Sequence, residues 1–296
     1  MIATTETCPP TALVTSSYRG DLARCRLLCE SIDRHVTGHS CHYILVEAAD
    51  VALFKPLEGP RRRIVDEREL LPWWLRAFPD PLSFGRRRIW LSPKGPPLRG
   101  WHVQQLRRLA FAALMDEVGM ISIDSDVVFV RAFDAASFWQ GRAFRFFRIP
   151  DAPPPIAGNH DAWSVRAGLL LGLGAPPRHD IDYITTLIGW RADTVRDLLA
   201  RIEDVTGASA MTGLAGSRAL SECLLYGRFV DEAEGRRDRH VPTDEQLCRV
   251  YWAGEAMGEG ALSTFVEALA PHQVAIGIQS FTGTDLSLIR RVAGLE

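Results

Sequence analysis

Between Gly119 and Val130 the chain reads Gly-Met-Ile-Ser-Ile-Asp-Ser-Asp-Val-Val-Phe-Val. Met120 to Ile123 and Val127 to Val130 are short apolar runs that read as buried strands. Asp124 and Asp126 stand between them, two carboxylates at the mouth of a strand bound for the core. Burying such a pair is costly unless something cationic neutralises it. Carboxylate oxygens are the ligands Mg²⁺ and Mn²⁺ prefer, and these ions share their coordination shell with substrate phosphates. The expectation is a metal site with Asp124 and Asp126 as its floor. A turn followed by an edge strand would also read Asp-x-Asp. The flanking strands and the preceding helix argue against it.

The 296 residues, 47% hydrophobic and 24% charged, can bury a large core as one domain. A formal net charge of -2 gives no general attraction to nucleic acid. No run approaches the length of a membrane span, and the N-terminus lacks a basic start and an apolar h-region, so a cytoplasmic location is expected. Peripheral contact with a membrane is not excluded by either absence. The six cysteines show no metal or disulfide framework. Cys25 and Cys29, one helical turn apart, are expected to pack as small apolar side chains.

Along the chain, Thr11 to Thr15 reads as a strand, Ser16 to Asp21 as a loop, and Leu22 to Val36 as a helix with Cys25, Leu28, Cys29 and Ile32 on one face. Strands follow at His42 to Glu47 and Arg63 to Asp66, with a turn at Ala48-Ala49-Asp50 between them. Leu71 to Leu98, rich in Pro, Arg and Trp, reads as an inserted lid or loop. A helix from Trp101 is expected to stop at Gly119. Beyond the Asp-Ser-Asp motif a strand is expected from Ala143 to Ile149, then a break at Asp151-Ala-Pro-Pro-Pro and a more helical half. Its helices are placed at Val195 to Val205, at Ser217 to Phe229 and from Thr243, where Thr243-Asp-Glu-Gln246 reads as a capping box. Val274 to Ile278 closes the chain as a late strand.

Strand, loop, helix at the N-terminus, a second strand ending near Asp50, and a mid-chain strand delivering Asp-x-Asp together resemble the GT-A nucleotide-sugar glycosyltransferases. Thr15-Ser-Ser-Tyr-Arg-Gly-Asp21, Gly100-Trp-His-Val-Gln-Gln-Leu-Arg-Arg-Leu109, Asp124-Ser-Asp126 and Ser221-Glu-Cys-Leu-Leu-Tyr-Gly227 are similar to a bacterial group of glycosyltransferase-like proteins. The sequence departs from that group at Arg108, where Lys is usual, and at Cys223, where an aromatic is. The resemblance implies an α/β fold, a GT-A-like (Rossmann-like) mixed sheet flanked by helices. It implies one catalytic domain over 1–296, with a nucleotide-sugar half at 11–150 and an acceptor half at 151–296.

It also implies chemistry. A nucleotide diphosphate-sugar, UDP favoured, would donate a sugar to a hydroxyl acceptor: a saccharide, a lipid-linked glycan or a small metabolite. Mn²⁺ or Mg²⁺, bound directly by Asp126, would hold the leaving diphosphate, with Asp124 on the sugar or ribose hydroxyls or on the ion through water. Nucleotides in open α/β sheets lie beyond the carboxyl ends of the strands, so Thr15, Ser16, Tyr18, Asp21 and Asp50 are donor-site candidates. Tyr18 would stack on the base, and Asp50 would accept from its edge or from the ribose. Arg24 and Arg108 would offset phosphate charge, and Gln104 and Gln105 would touch the sugar. Each has a plainer alternative: Tyr18 as rim packing, Asp50 as a turn residue, the arginines as solvated helix faces. A third metal ligand is expected near the C-terminus, from His272 or from Gln279-Ser280, with His240 a weaker choice. Glu222 is the candidate base for an inverting reaction, or simply a carboxylate in the first turn of a helix. Asp124 is its catalytic companion, Asp161, Asp182 and Asp244 are reserves, and Trp101, Trp163 and Trp190 are candidates for stacking on sugar rings.

Two other classes compete. In haloacid dehalogenase-like phosphatases a similar motif carries a nucleophilic Asp, which would be Asp124, but normally on the first strand. A nucleotide-sugar-binding module without turnover would share the fold.

Overall fold

A computed structural model describes residues 8–84, 87–151, 159–174 and 180–295. The Pro run at 152–155 and the first seven residues of the N-terminal tail lie outside the described residues.

The protein is a mixed α/β structure built on a five-stranded sheet in the order Leu187–Arg191, Gly119–Ile123, Thr11–Ser16, His42–Val46, Arg62–Asp66. The last four strands run parallel, and Leu187–Arg191 is antiparallel to Gly119–Ile123. Near-continuous apolar runs are what a parallel sheet covered on both faces requires. Thr11–Ser16 is accordingly buried at every position. The helices Leu22–His35 and Gly100–Leu114 supply cover. Val103, Leu106 and Leu109 of the second bury their side chains in the largest core cluster, each such burial contributing roughly 1.5–3 kcal/mol.

The two halves share this framework. Leu187–Arg191 belongs to the central sheet, and Ala275–Ile278 pairs antiparallel with Val127–Phe129 and parallel with Cys248–Tyr251 in a second, three-stranded sheet. The expected strands and helices before the insertion appear within a residue or two.

Three expectations change. The insertion is not loop: Arg76–Pro79, Arg88–Leu91 and Leu98–Arg99 form an antiparallel sheet of their own. The helix from Gly100 ends at Leu114, and Gly119 instead opens the Asp-Ser-Asp strand. A Cβ there would stand 2.8 Å from Phe144 and 2.9 Å from Trp139, so close packing explains the glycine. Thr243 ends the strand His240–Thr243, paired with Phe147, and its hydroxyl accepts only from the Glu245 N–H. The apparent capping box is a turn.

The insertion is anchored by a buried polar cluster. Glu67 accepts from Arg107 of the Gly100–Leu114 helix (2.6 Å) and from the indole of Trp90 in the insertion (3.1 Å). All three side chains are buried. Removing the carboxylate strands a buried guanidinium. Glu67→Ala is therefore expected to lose about 3–5 kcal/mol of unfolding free energy in urea titrations, with Glu67→Gln losing less. Equal, small losses in both variants would contradict the anchoring role.

Candidate functional site

The turn Asp124-Ser125-Asp126 sits at the carboxyl end of Gly119–Ile123, beside the end of Thr11–Ser16, with which that strand is paired. Three elements converge on it. Arg108, on the Gly100–Leu114 helix and 5% exposed, donates to Glu222 (2.8 Å) and makes a close ion pair with Asp124. Burial opposes the guanidinium's charge, but Asp124 and then Glu222 more than compensate and hold it protonated. The Asp124 side chain remains 40% exposed. It is the part of this cluster that can meet a ligand.

Glu222 opens the helix Glu222–Glu232, whose N-cap Ser221 accepts from the Leu224 N–H. Its carboxylate is buried, which pushes its pKa up, while Arg108 pulls the other way. Buried and tied to Arg108, it has no approach to an acceptor hydroxyl. The structure thus corrects its expected role: Glu222 positions Arg108, and through it Asp124, and is not a free base. Arg108 is corrected with it, since two carboxylates occupy the guanidinium expected on phosphate. Gln105, expected on the sugar, is buried and accepts from the Glu222 backbone N–H (3.0 Å), satisfying the start of that helix.

On the other side, the Ser125 hydroxyl donates to Asp21 (3.4 Å), bringing a third carboxylate to the turn. Burial raises the carboxyl of Asp21, and Asp124 adds to it. Asp126 is the most perturbed. Burial, then Asp124, then Asp21 push its pKa up to about 7, against the pull of a hydrogen bond from its own backbone N–H and, after it, of Arg24. Arg24 holds the carbonyls of Ile278 (3.0 Å) and Ser280 (3.4 Å), fixing the end of the last strand beside Asp126. Asp126 has no hydrogen-bonded or ion-paired side-chain partner among the described residues.

An uncompensated, partly buried carboxylate fits a cation. Among the described residues, no group of three or more His, Cys, Asp or Glu side chains is arranged to hold a metal ion unaided. The donor set suits only an ion that takes most of its ligands from phosphate oxygens and water, as Mg²⁺ does. His272 cannot complete it. Ile278 donates to the Asp126 carbonyl, while Val274 lies beside Val130, so His272 stands past the opposite end of the strand. Val274 and Val130 lie four residues of strand, roughly 13 Å, from Asp126, and His272 lies beyond them in the turn that precedes the strand. Gln279 and Ser280 are at the correct end.

The loop after the first strand is held by Asp50, which accepts from the backbone N–H and the side chain of Arg19 (both 2.8 Å) and is fully buried. Asp50 therefore orders the loop and does not face a base. Thr15 is likewise buried, bonded to His42 (3.0 Å). Ser16 is buried with an unpartnered hydroxyl. Tyr18, half exposed, lies over Gly20, where a Cβ would come within 2.6 Å of its ring.

Tyr18 is also the link to a cavity of about 760 Å³ beyond the strand ends. Five arginines line it (Arg19, Arg87, Arg88, Arg99, Arg107) against two acids, Glu47 and Asp80. Trp90 and Trp101 add aromatic surface and Gln104 a polar contact. Glu47 faces Arg88 at 3.4 Å, and burial pushes its carboxyl up. Arg87 has no ion-pair partner among the described residues. Anionic groups with a planar base would suit such walls.

Trp101 packs against Trp163, ring centres 5.5 Å apart, whereas Trp190 is buried on Tyr226 and takes no part. Asp161 lies in the first turn of the helix His160–Leu171, Asp182 ends the strand Ile181–Asp182 and accepts from the Ile184 N–H, and Asp244 is exposed on a loop. Sequence reasoning missed Glu47, Arg88, Trp90, Arg99 and Arg107 as cavity residues. The Arg-Arg-Arg run at 86–88 was their one visible signal.

A family described as a family of unknown function (DUF6492) matches residues 7–290. No curated protein matches the chain.

Asp126 makes a pH prediction. A carboxyl raised to about 7 stabilises the fold while protonated, fully below about pH 4, and that contribution is lost as pH rises through 7. With chelator present, Asp126→Asn is expected to be more stable than wild type at pH 8 by about 1–3 kcal/mol, the gap closing by pH 4. A gap independent of pH in urea titrations would contradict this electrostatic account.

Proposed function

We propose that this chain, which belongs to the DUF6492 family, is a GT-A-like glycosyltransferase that moves a sugar from a nucleotide diphosphate donor to a hydroxyl acceptor. The observation that carries the reading is the adjacency of two complementary features at the carboxyl ends of the parallel strands. One is the arginine-lined cavity with its aromatic walls. The other is the carboxylate turn, where Asp126 lacks a counter-charge. A nucleotide diphosphate-sugar asks for both: cationic and aromatic walls for the nucleotide, and a bridged cation where the diphosphate departs. Open α/β sheets bind nucleotides at this end.

In this reading Asp126 is a direct ligand of Mn²⁺ or Mg²⁺, and Asp124 reaches the ion or the sugar hydroxyls. The ion would supply Lewis-acid stabilisation to the leaving diphosphate. Arg87 and Arg88 meet the anionic part of the donor, and Tyr18 or Trp101 offers a stacking face. Arg108 and Glu222 keep Asp124 in one orientation, a positioning role that removes the cost of ordering it at the moment of reaction. Gln279 and Ser280, held by Arg24, stand where a further ligand would come from. The phosphatase alternative has less support. Its nucleophile belongs on the first strand, and Thr11–Ser16 contains no Asp.

A thermal-shift panel of UDP, GDP, CDP and dTDP, with and without Mn²⁺, tests the donor site. One nucleotide at a hundredfold excess over its Kd should add about 2.7 kcal/mol, a rise of several degrees in Tm, and only with metal. Asp126→Ala should abolish the shift, and Arg87→Ala should weaken binding about tenfold or more. No stabilisation by any nucleotide with metal present would remove the basis of the reading.

A further inference from the structure

The floor of the arginine-lined cavity holds a carboxylate whose hydrogen bonds are unmade. Glu47 follows the central strand His42–Val46 at its carboxyl end, and its backbone carbonyl accepts from the Asp50 N–H (2.8 Å), which fixes the turn that carries it. The residue is 6% exposed and lines the cavity. Among the described residues its one ion pair is with Arg88 Nε at 3.4 Å, and no donor hydrogen-bonds its carboxylate oxygens. A carboxylate has room for about four hydrogen bonds, and a buried one that makes none is costly. Asp80, the other acid of the cavity, differs: it already accepts from the Leu82 N–H (3.0 Å) and faces Arg99 at 3.9 Å.

Donors without acceptors flank Glu47. The Nε atoms of Arg88 and Arg107 are buried with no hydrogen-bond partner among the described residues, while one Nη of Arg107 donates to Glu67 (2.6 Å). Burial raises the Glu47 carboxyl, and Arg107 is the first charge to oppose it, so the two lie close together on the floor. Trp90, its ring centre 5.5 Å from the Arg107 guanidinium, supplies a flat apolar wall. Tyr18, Arg99 and Trp101 are exposed and form the rim. In a nucleoside diphosphate the base is the end farthest from the phosphates. With the diphosphate at the Asp-Ser-Asp turn, the base is the part that reaches the floor.

The edges of the bases differ in what they offer a carboxylate. Guanine carries two neighbouring donors, N1–H and the 2-amino group, beside the acceptor O6. Uracil carries a single N–H between two carbonyls, one of which would meet the second carboxylate oxygen. Cytosine and adenine each place one amino group beside a bare ring nitrogen. We infer that the donor nucleotide is guanosine diphosphate, with Glu47 accepting from N1–H and the 2-amino group and Arg88 or Arg107 donating to O6. This rests on the nucleotide-sugar reading of the cavity and narrows it to GDP-sugars. Paired N–H···O bonds to one carboxylate are charge-assisted, and a site built to hydrogen-bond a group rejects analogues that lack it.

Isothermal titration calorimetry of the full chain with Mn²⁺ and each of GDP, IDP, UDP and CDP is the test. GDP should bind tightest, IDP, which lacks the 2-amino group, about tenfold weaker, and UDP and CDP weaker still. Glu47→Gln should weaken GDP about tenfold or more and change UDP by less than about threefold. Unchanged thermal melting of the variant would show that the fold persists, and the wild-type order of nucleotides needs no variant. Metal-dependent binding of UDP or CDP as tight as that of GDP, or equal binding of GDP and IDP, would overturn the guanine assignment and leave the donor site standing. Equal loss of GDP and UDP in Glu47→Gln would overturn it too, assigning Glu47 to the ribose that all four share. No binding by any of them would remove the donor reading, and this assignment with it.

Discussion

Arg108 is the charge on which the site's geometry depends. A guanidinium this deeply buried is tolerable only with both its carboxylates in place, and it draws them from opposite halves of the chain: Asp124 from the end of a central strand, Glu222 from the start of a later helix. Gln105, one turn earlier on the same helix, fixes the Glu222 backbone. The arrangement therefore locks the helix Gly100–Leu114, the helix Glu222–Glu232 and the Asp-Ser-Asp turn into one unit. Removal of any member leaves a buried group without its partner. A lysine at 108, usual in the resembling group, would present a point charge where the planar fork of arginine holds two acids at once.

Around that unit the charges separate. Acids gather at the turn, where Asp124 raises the affinity of Asp21 and Asp126 for protons and Asp21 adds to it at Asp126. Arginines gather in the neighbouring cavity. The acids repel one another and leave Asp126 without a counter-charge, whereas among the arginines Arg19, Arg88, Arg99 and Arg107 face Asp50, Glu47, Asp80 and Glu67 and, among the described residues, Arg87 has no ion-pair partner. Strain of this kind is common where a protein is shaped for a ligand that carries the missing charge. Here the missing charges have opposite sign in adjacent places, which a cation bridged to a diphosphate would supply together.

Much of the fold was legible because burial writes itself into the sequence. Thr11–Ser16 and Gly119–Ile123 carry the apolar cores Ala12-Leu13-Val14 and Met120-Ile121, and Leu22–His35 keeps a helical stripe, so strand and helix could be placed to within a residue or two. The insertion was not legible, because its three strands are short, broken by prolines and exposed on one face. Residue types at the strand ends were read correctly as polar and clustered, but not their partners. Thr15 turns to His42, Asp50 to Arg19, Gln105 to Glu222, and Glu222 to Arg108. Each is a contact between residues 27 or more apart in sequence, and no local pattern encodes it. His272 failed for a related reason. Proximity to the last strand was visible, but which end of the strand meets Asp126 follows from its antiparallel pairing with Val127–Phe129.

The most direct test of the central claim is a crystal structure with Mn²⁺ and a nucleoside diphosphate, with anomalous scattering used to locate the ion. The account predicts an anomalous peak against Asp126, the diphosphate bridging from it, and the nucleoside in the cavity between Tyr18 and Arg87. A peak elsewhere, or a nucleotide bound away from the Asp-Ser-Asp turn, would contradict it.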